Sequence, residues 1–96
     1  MANVINNKEK NRYELSLDGN TAIAEYILNK KGVLFFTHTE VPQELEGQGV
    51  ASKLIKSAFE DAENRGLQIA PICPFVKSYI QRHPEWKRLL SDEHKF

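Results

Sequence analysis

The sequence lacks the features that mark secreted and membrane-spanning proteins. Among its 96 residues there is one cysteine, Cys73, which cannot form a disulfide within the chain and therefore favours a reducing compartment. The longest apolar run is far too short to cross a bilayer, and the polar residues 1–10 do not resemble a signal peptide. We therefore expect a cytoplasmic protein without a membrane partner.

The chain also lacks net charge. Thirteen acidic and thirteen basic residues balance, so no overall electric field would attract nucleic acid. The three histidines and the cysteine are scattered without ligand spacing, so we predict no metal site. A chain of this length has room for one core, which predicts a single domain over residues 1–96, with residues 1–10 and 91–96 loosely ordered.

Three strand patterns occupy the first part of the chain. Arg12–Leu17 alternates apolar and polar residues, a turn at residues 18–20 follows, and Thr21–Leu28 completes a predicted hairpin. Val33–Val41 is apolar on both faces at its start, as in a central strand, and becomes polar towards its end. Val4 and Ile5 are candidates for pairing at the sheet edge.

A long amphipathic pattern predicts a helix from about Gln48 to Arg65, with Gly66 ending it. Three elements then follow in the chain: a strand over Leu67–Ile72, a helix over Phe75–Arg82 with Pro74 in its first turn, and a short helix over Pro84–Leu90. A strand–helix–strand connection of this kind makes its two strands parallel. The order β-β-β-α-β-α-(α) predicts an α+β (or α/β) fold, with a mostly antiparallel sheet and one parallel pair.

The stretch between the third strand and the long helix is suited to hold an anion. Gly47 and Gly49 allow backbone angles that turn successive N–H groups inwards, and the first amides of the helix have no partner within it. Such a site favours phosphate. The spacing is neither that of a dinucleotide-binding loop, which needs a third glycine where Ser52 stands, nor that of a P-loop.

Two segments carry a resemblance to a known family. Glu46-Gly47-Gln48-Gly49-Val50-Ala51 resembles motif A of the GCN5-related N-acetyltransferases, Gln/Arg-x-x-Gly-x-Gly/Ala, except that Glu46 replaces the first residue. Ile69–Trp86 resembles the signature of a compact subgroup of about a hundred residues, in which Pro-x-Cys-Pro and an aromatic precede Tyr-Ile-x-x-His-Pro-Glu-aromatic. Together the two segments extend the resemblance over roughly residues 11–90. The resemblance implies a minimal acetyltransferase fold in which the two parallel strands are splayed apart.

The resemblance implies that acetyl-CoA, or coenzyme A, is the cofactor. Its pantetheine arm would pair with the third strand, its pyrophosphate would meet the loop and helix amides, and its acetyl group would lie beyond the fourth strand. The implied cofactor-binding residues are Thr39, Glu40, Val41, Gly47, Gln48, Gly49, Val50, Ala51, Ser52, Lys53, Cys73 and Pro74. Lys53, Lys56 and Lys77 are candidates for the 3′-phosphate, and Glu46 is expected to point into solvent.

Three residues are candidates for catalysis. Cys73 would lie near the thioester, where it would either take the acetyl group or only line the pocket and protonate the leaving thiolate. His38, with Glu40 on the same strand face, is a candidate base, since histidine ordinarily titrates near neutral pH. Tyr79 is a candidate general acid for the thiolate. Each also has a purely structural interpretation, as a buried thiol, a strand packing residue and a core aromatic residue respectively.

The sequence thus leads to an acetyl-CoA-dependent N-acetyltransferase that acts on a primary amine: a protein lysine, a polyamine or a small amine. The first alternative is a non-catalytic acyl-CoA-binding module of the same fold, favoured by the short turn between the first two strands, where larger relatives have helices. A phosphate-binding domain unrelated to CoA is the second. We expect a monomer or a weak homodimer.

Overall fold

The computed structural model describes residues 3–96, which form one mixed sheet and two α-helices. The sheet order is β1-β2-β3-β4-β5, with antiparallel neighbours except for the parallel pair β4 and β5. The elements are β1 (Val4–Asn7), β2 (Arg12–Leu17), β3 (Asn20–Leu28), β4 (Val33–Glu40), α1 (Val50–Asn64), β5 (Gln68–Pro71) and α2 (Pro74–Arg82). Three short 3-10 helices lie at Gln43–Leu45, Pro84–Leu89 and Asp92–His94.

The predicted order is confirmed, with one strand added at the N-terminus. The edge pairing expected of Val4 and Ile5 extends over Val4–Asn7, which pairs with β2 and makes the sheet five-stranded. The last predicted helix is a 3-10 helix at Pro84–Leu89.

The C-terminal residues 91–96, predicted to be loosely ordered, make defined contacts beside β5. Leu90 forms a bridge with Ile69, and the Ser91 N–H donates to the Ile69 carbonyl at 3.0 Å. The ring of His94 then meets the ring of Phe35 edge-on at 5.4 Å. The tail therefore continues the sheet edge for two residues and folds back over β4.

Both helices pack on the same face of the sheet. The buried residues of α1, among them Leu54, Ile55 and Phe59, join those of α2 and the inward residues of β2, β3 and β4 in one core cluster. The predicted helix end at Gly66 is confirmed: Gly66 has φ +70°, and the Leu67 N–H donates to the Ala62 carbonyl at 2.8 Å. This end turns the chain directly into β5.

β4 contains a bulge, and it separates from β5 shortly before its end. Glu25 of β3 pairs with His38, but the next residue, Tyr26, pairs with Phe36, so Thr37 is an extra residue on β4. On its other side β4 pairs with β5 only as far as Phe36, whose carbonyl accepts the Cys73 N–H at 2.8 Å. The two parallel strands therefore part beyond Phe36, as the resemblance implied, and leave that edge of β4 open.

A buried phenol ties the sheet to α1. Tyr13 is 1% exposed, and its hydroxyl donates to the Asp61 carboxylate at 2.6 Å. Burial, together with the hydrogen bond to Asp61 and its charge, raises the pKa of Tyr13 far above its ordinary value. At neutral pH Tyr13 is therefore protonated, and its hydroxyl is the donor in this hydrogen bond.

Replacing Tyr13 with phenylalanine is expected to lower the free energy of unfolding by about 1–2 kcal/mol, because a buried hydrogen bond to a charged acceptor is lost. Denaturant titration measures this change in the free energy of unfolding. Ser16→Ala is the control and should change it little, since the Ser16–Thr21 hydrogen bond is exposed. The unfolded phenol ionises near pH 10 and the folded one only above it, so wild type should lose this advantage as pH rises above about 10. A constant difference up to pH 11 would contradict the assignment.

Candidate active site

The glycine loop has the backbone conformation that an anion site needs. Gly47 and Gly49 both have positive φ, +80° and +72°, and a Cβ added at either would meet no atom within 4 Å. The glycines are therefore present for their backbone angles and not because neighbouring atoms crowd them. Gly49 is the N-cap of α1, so the helix begins at Val50, two residues after the predicted start at about Gln48.

The first turn of α1 presents amides without helical partners. The first helical hydrogen bond runs from the Lys53 N–H to the Gly49 carbonyl at 3.1 Å, so the N–H groups of Val50, Ala51 and Ser52 precede it. Gly49 has no side chain that could cap these N–H groups, and the first turn of α1 contains no acidic residue. These donors, at the positive end of the helix dipole, are suited to phosphate oxygens.

A groove of about 380 Å³ runs from this loop to α2. Its sides are the loop with the start of α1 and one face of α2, and its floor comes from the end of β4. The lining residues are Thr39, Val41, Leu45, Glu46, Gly47, Gly49, Val50, Ala51, Ser52, Phe75 and Arg82. The groove thus combines an anion-binding end with apolar walls, the combination required by a long ligand with a charged part and an uncharged part.

A thiol lies beside this groove. The Cys73 Sγ is 3.6 Å from the hydroxyl oxygen of Thr39, and Thr39 lines the groove. Cys73 is 6% exposed and is the residue before α2, which begins with Pro74. The strand–helix junction after β5 and the polar end of β4 therefore bring a thiol and a hydroxyl together.

His38 and Glu40 form a second polar pair on the opposite face of the sheet. The His38 Nε2 lies 3.7 Å from a Glu40 carboxylate oxygen, and both side chains are more than half exposed. Their strand partners Glu25 and Ile23 face away from the helices, whereas Thr39 is paired with the buried Ala24. The pair shares one strand face, as predicted, but lies across the sheet from Cys73.

Comparison with known proteins identifies the family. The family described as GCN5-related N-acetyl-transferase matches residues 12–89, most of the chain. The chain belongs to the GCN5-related N-acetyltransferase family. The resemblance found in the two motifs is therefore confirmed over nearly the same residues.

Individual proteins are similar to this chain over most of its length. A GCN5-like protein from Staphylococcus aureus, solved by NMR, superimposes with a TM-score of 0.72 at 25% identity, covering 93% of this chain and 87% of that one. Protein NATD1 from Mus musculus is 25% identical over 83 residues, 84% of this chain and 76% of its own length. The Homo sapiens form is also 25% identical and is covered over 74% of its length. The mixed sheet with one parallel pair is thus the acetyltransferase fold.

Several residues implied by the family resemblance lie outside the groove lining. The Gln48 amide donates to the Glu44 carbonyl at 3.1 Å and is turned back to the preceding 3-10 helix. Glu40 is on the far face, Lys53 is exposed on α1, and Cys73 with Pro74 adjoins the groove through Thr39. The remaining seven implied residues line it: Thr39, Val41, Gly47, Gly49, Val50, Ala51 and Ser52.

Four lining residues were not predicted as ligands: Leu45, Glu46, Phe75 and Arg82. Glu46, expected to point into solvent, is exposed and also borders the groove. Phe75 and Arg82 are seven residues apart and so share one face of α2. Their spacing was visible in the sequence, but nothing local indicated that this face of α2 would meet the start of α1.

Tyr79 lies in the aromatic core and not among the residues that line the groove. It is 3% exposed, and its ring lies 5.8 Å from that of Phe59 and 4.4 Å from that of His83. Burial, with the charge of Glu85, raises the pKa of Tyr79, so its hydroxyl stays protonated. The general-acid role of Tyr79 and the base role of His38 stay predictions.

Two features are absent from residues 3–96. Within that range no three histidine, cysteine, aspartate or glutamate side chains come close enough together to hold a metal ion. None of the helices described there has the length and apolar character needed to cross a membrane.

Proposed function

We propose that this chain is an acetyl-CoA-dependent N-acetyltransferase that transfers an acetyl group to a primary amine. The observation that carries the proposal is the continuity of one groove, from unpartnered amides at the start of α1 to Thr39, beside the Cys73 thiol. Family membership supports acetyl transfer as the chemistry. The acceptor is a protein lysine, a polyamine or a small amine, and the chain acts in the cytoplasm as a monomer or weak homodimer.

Binding uses the loop amides and the open edge of β4. The N–H groups of Gly47 through Ser52 would hold the pyrophosphate, and the backbone of β4 beyond Phe36, which β5 leaves open, would pair with the amides of the pantetheine arm. A CoA thioester bound in this way would have its acetyl group near Thr39 and Cys73. Acetyl-CoA thus supplies the activated acetyl group, while the chain supplies its position.

The proposed transfer has two steps. The Cys73 sulfur attacks the thioester carbonyl, its proton passes to the departing CoA sulfur, and the acetyl group becomes a thioester of Cys73. The Thr39 hydroxyl, 3.6 Å from Sγ, can donate to the thiolate that forms. A neutral amine then attacks this thioester, the C–N bond forms as the bond from the acetyl carbon to the Cys73 sulfur breaks, and the proton released by the amine passes through a base to that sulfur, which returns Cys73 to the thiol.

The acceptor would reach this point from the open face of the sheet. Both helices of residues 3–96 pack on the other face, and β4 and β5 part beyond Phe36. His38 and Glu40 stand on the open face at the same stretch of β4, where a base would take the proton of the amine. This arrangement supports His38 as that base.

One observation favours a second candidate, a non-catalytic acyl-CoA-binding module. In the structure the first two strands are β1 and β2, and β1 ends at Asn7 while β2 begins at Arg12, so only a four-residue turn lies where helices would shape an acceptor pocket. A module would bind acetyl-CoA without consuming it.

The test is a turnover assay that follows free CoA thiol. Protein, acetyl-CoA and a pool of amines are mixed, and CoA release above the acetyl-CoA-only blank is expected to require both protein and amine. Calorimetric binding of acetyl-CoA with no release would favour the module instead. Thermal stabilisation by nucleotides but not by acetyl-CoA would contradict both and favour a phosphate-binding domain unrelated to CoA.

A further inference from the structure

Arg82 is unusual among the arginines of this chain. The chain has four, and the structure places three of them in ion pairs with carboxylates: Arg12–Glu14 at 2.6 Å, Arg65–Asp61 at 3.1 Å and Arg88–Glu63 at 2.6 Å. In the described residues 3–96 the Arg82 guanidinium takes part in no ion pair or hydrogen bond, and it lines the groove. An arginine with five donors and no acceptor therefore faces the space beside the glycine loop.

The position of Arg82 along the groove is as informative as its charge. Phe75 and Arg82 stand on one face of α2, about 10 Å apart along the helix axis, since each residue advances about 1.5 Å. Phe75 is at the end nearer Cys73, and Arg82 is at the other end. The face of α2 thus offers an apolar ring towards the thiol and a cation away from it, which matches a ligand that is uncharged near its thioester and anionic farther along.

The charges of the lining lead to the same assignment. Glu46 is the one acidic residue and Arg82 the one basic residue among the described residues that line the groove. The family pattern has Gln or Arg where this chain has Glu46, so this carboxylate weakens the attraction of the loop amides for an anion. A cation from another element must offset Glu46 if a diphosphate is to bind.

We propose that Arg82 binds the pyrophosphate of coenzyme A and supplies, from α2, the cation that residue 46 lacks. The inference rests on the proposed function, because it takes CoA as the ligand. The planar guanidinium can bridge two phosphate oxygens while the amides of Gly49 to Ser52 hold others. Arg82 is then a binding residue of the cofactor site, and α2 takes part in cofactor recognition as well as in the core.

A purely structural role for Arg82 makes a different prediction. Arg82 stands in the last turn of α2, where a positive charge stabilises the negative end of the helix. In that case Arg82→Gln would lower the thermal midpoint of the free protein, and affinities for all ligands would change alike.

Affinity measurements with a series of ligands separate the two roles. Calorimetry with CoA is expected to show about a tenfold to hundredfold weaker Kd for Arg82→Gln than for wild type, with Arg82→Lys between them, because a charge-assisted bidentate contact is lost. Dephospho-CoA, which keeps the pyrophosphate, should show the same loss, and pantetheine, which has no phosphate, should show none. Arg88→Gln is the matched control and should bind CoA like wild type, since Arg88 is paired with Glu63 and neither residue is among those that line the groove.

A double-mutant cycle with Glu46→Gln completes the test. Glu46→Gln alone should tighten CoA binding about two- to fivefold. If Arg82 contacts phosphate, Arg82→Gln still weakens binding in the Glu46→Gln background; if it only neutralises Glu46, the loss disappears and the inference is overturned. Equal affinity of wild type and Arg82→Gln, or a loss seen with CoA but not with dephospho-CoA, also overturns it and leaves the proposed function standing. Failure of wild type to bind CoA overturns both.

Discussion

Replacing Cys73 with alanine is expected to abolish acetyl transfer while CoA still binds. Wild-type protein treated with acetyl-CoA should gain the mass of one acetyl group, and the Cys73→Ala protein should gain none, because the sulfur that would carry the group is gone. Turnover with amines should fall by at least about a hundredfold, the minimum we assign to losing the group that relays the acetyl. Intact-protein mass spectrometry and the CoA-release assay measure the two effects.

The variant should remain folded, so its inactivity can be interpreted. Cys73 is 6% exposed and packs in the core as a small apolar side chain, and its loss should cost about 1 kcal/mol. The CoA affinity of Cys73→Ala should therefore stay close to that of wild type. Cys73→Ser, which keeps the contact with Thr39 but not the thiol, should be equally unacetylated. Undiminished turnover in Cys73→Ala would show direct transfer from acetyl-CoA to the amine and remove the relay from the mechanism.

The elements that frame the site could be predicted because their signals are local. Pro74 marks the first turn of α2, Gly66 ends α1 with a positive φ, and the apolar period of α1 identifies its buried face. The glycine loop could be predicted for the same reason, since Gly47 and Gly49 can adopt the positive φ that they show without steric cost. Such features depend on a few neighbouring residues and need no knowledge of the tertiary structure.

What was missed depends on how distant elements meet. Arg82 and Phe75 line the groove only because α2 packs beside the start of α1, a contact that no local pattern indicates. The direction in which the β4 side chains point has the same origin. Because Thr37 is an extra residue on β4, Thr39 points to the face where Cys73 lies, and His38 points to the open face of the sheet. A bulge is set by the pairing of two strands, and a single strand sequence does not show it. The burial of Tyr79 likewise comes from Phe59 on another helix.

Gly49→Glu is expected to weaken CoA binding by at least about a hundredfold, because like charges at close contact cost several kcal/mol. The new carboxylate would stand at the N-cap of α1. There it could accept a hydrogen bond from the N–H group of Ala51 or Ser52, which the pyrophosphate would otherwise use. It would thus repel the ligand and occupy its donors at once. Calorimetric titration with CoA measures the loss, and unchanged affinity would mean that the loop has been misassigned.

Gly19→Glu supplies the matched control. Gly19 has φ +80° and, like Gly49, no atom within 4 Å of an added Cβ, but it lies in the turn between β2 and β3, away from the groove lining. Both variants should lose about 1–2 kcal/mol of stability to the left-handed backbone of a non-glycine residue. At Gly49 part of this cost is offset, since a negative charge at the helix N-terminus interacts favourably with the helix dipole. The free Gly49→Glu protein should therefore be the more stable of the two and yet the one that fails to bind CoA. A site made of unpartnered helix amides thus predicts that Gly49→Glu is the more stable variant and Gly19→Glu the one that binds CoA more tightly. If the loop only turned the chain, the two variants would bind CoA equally well.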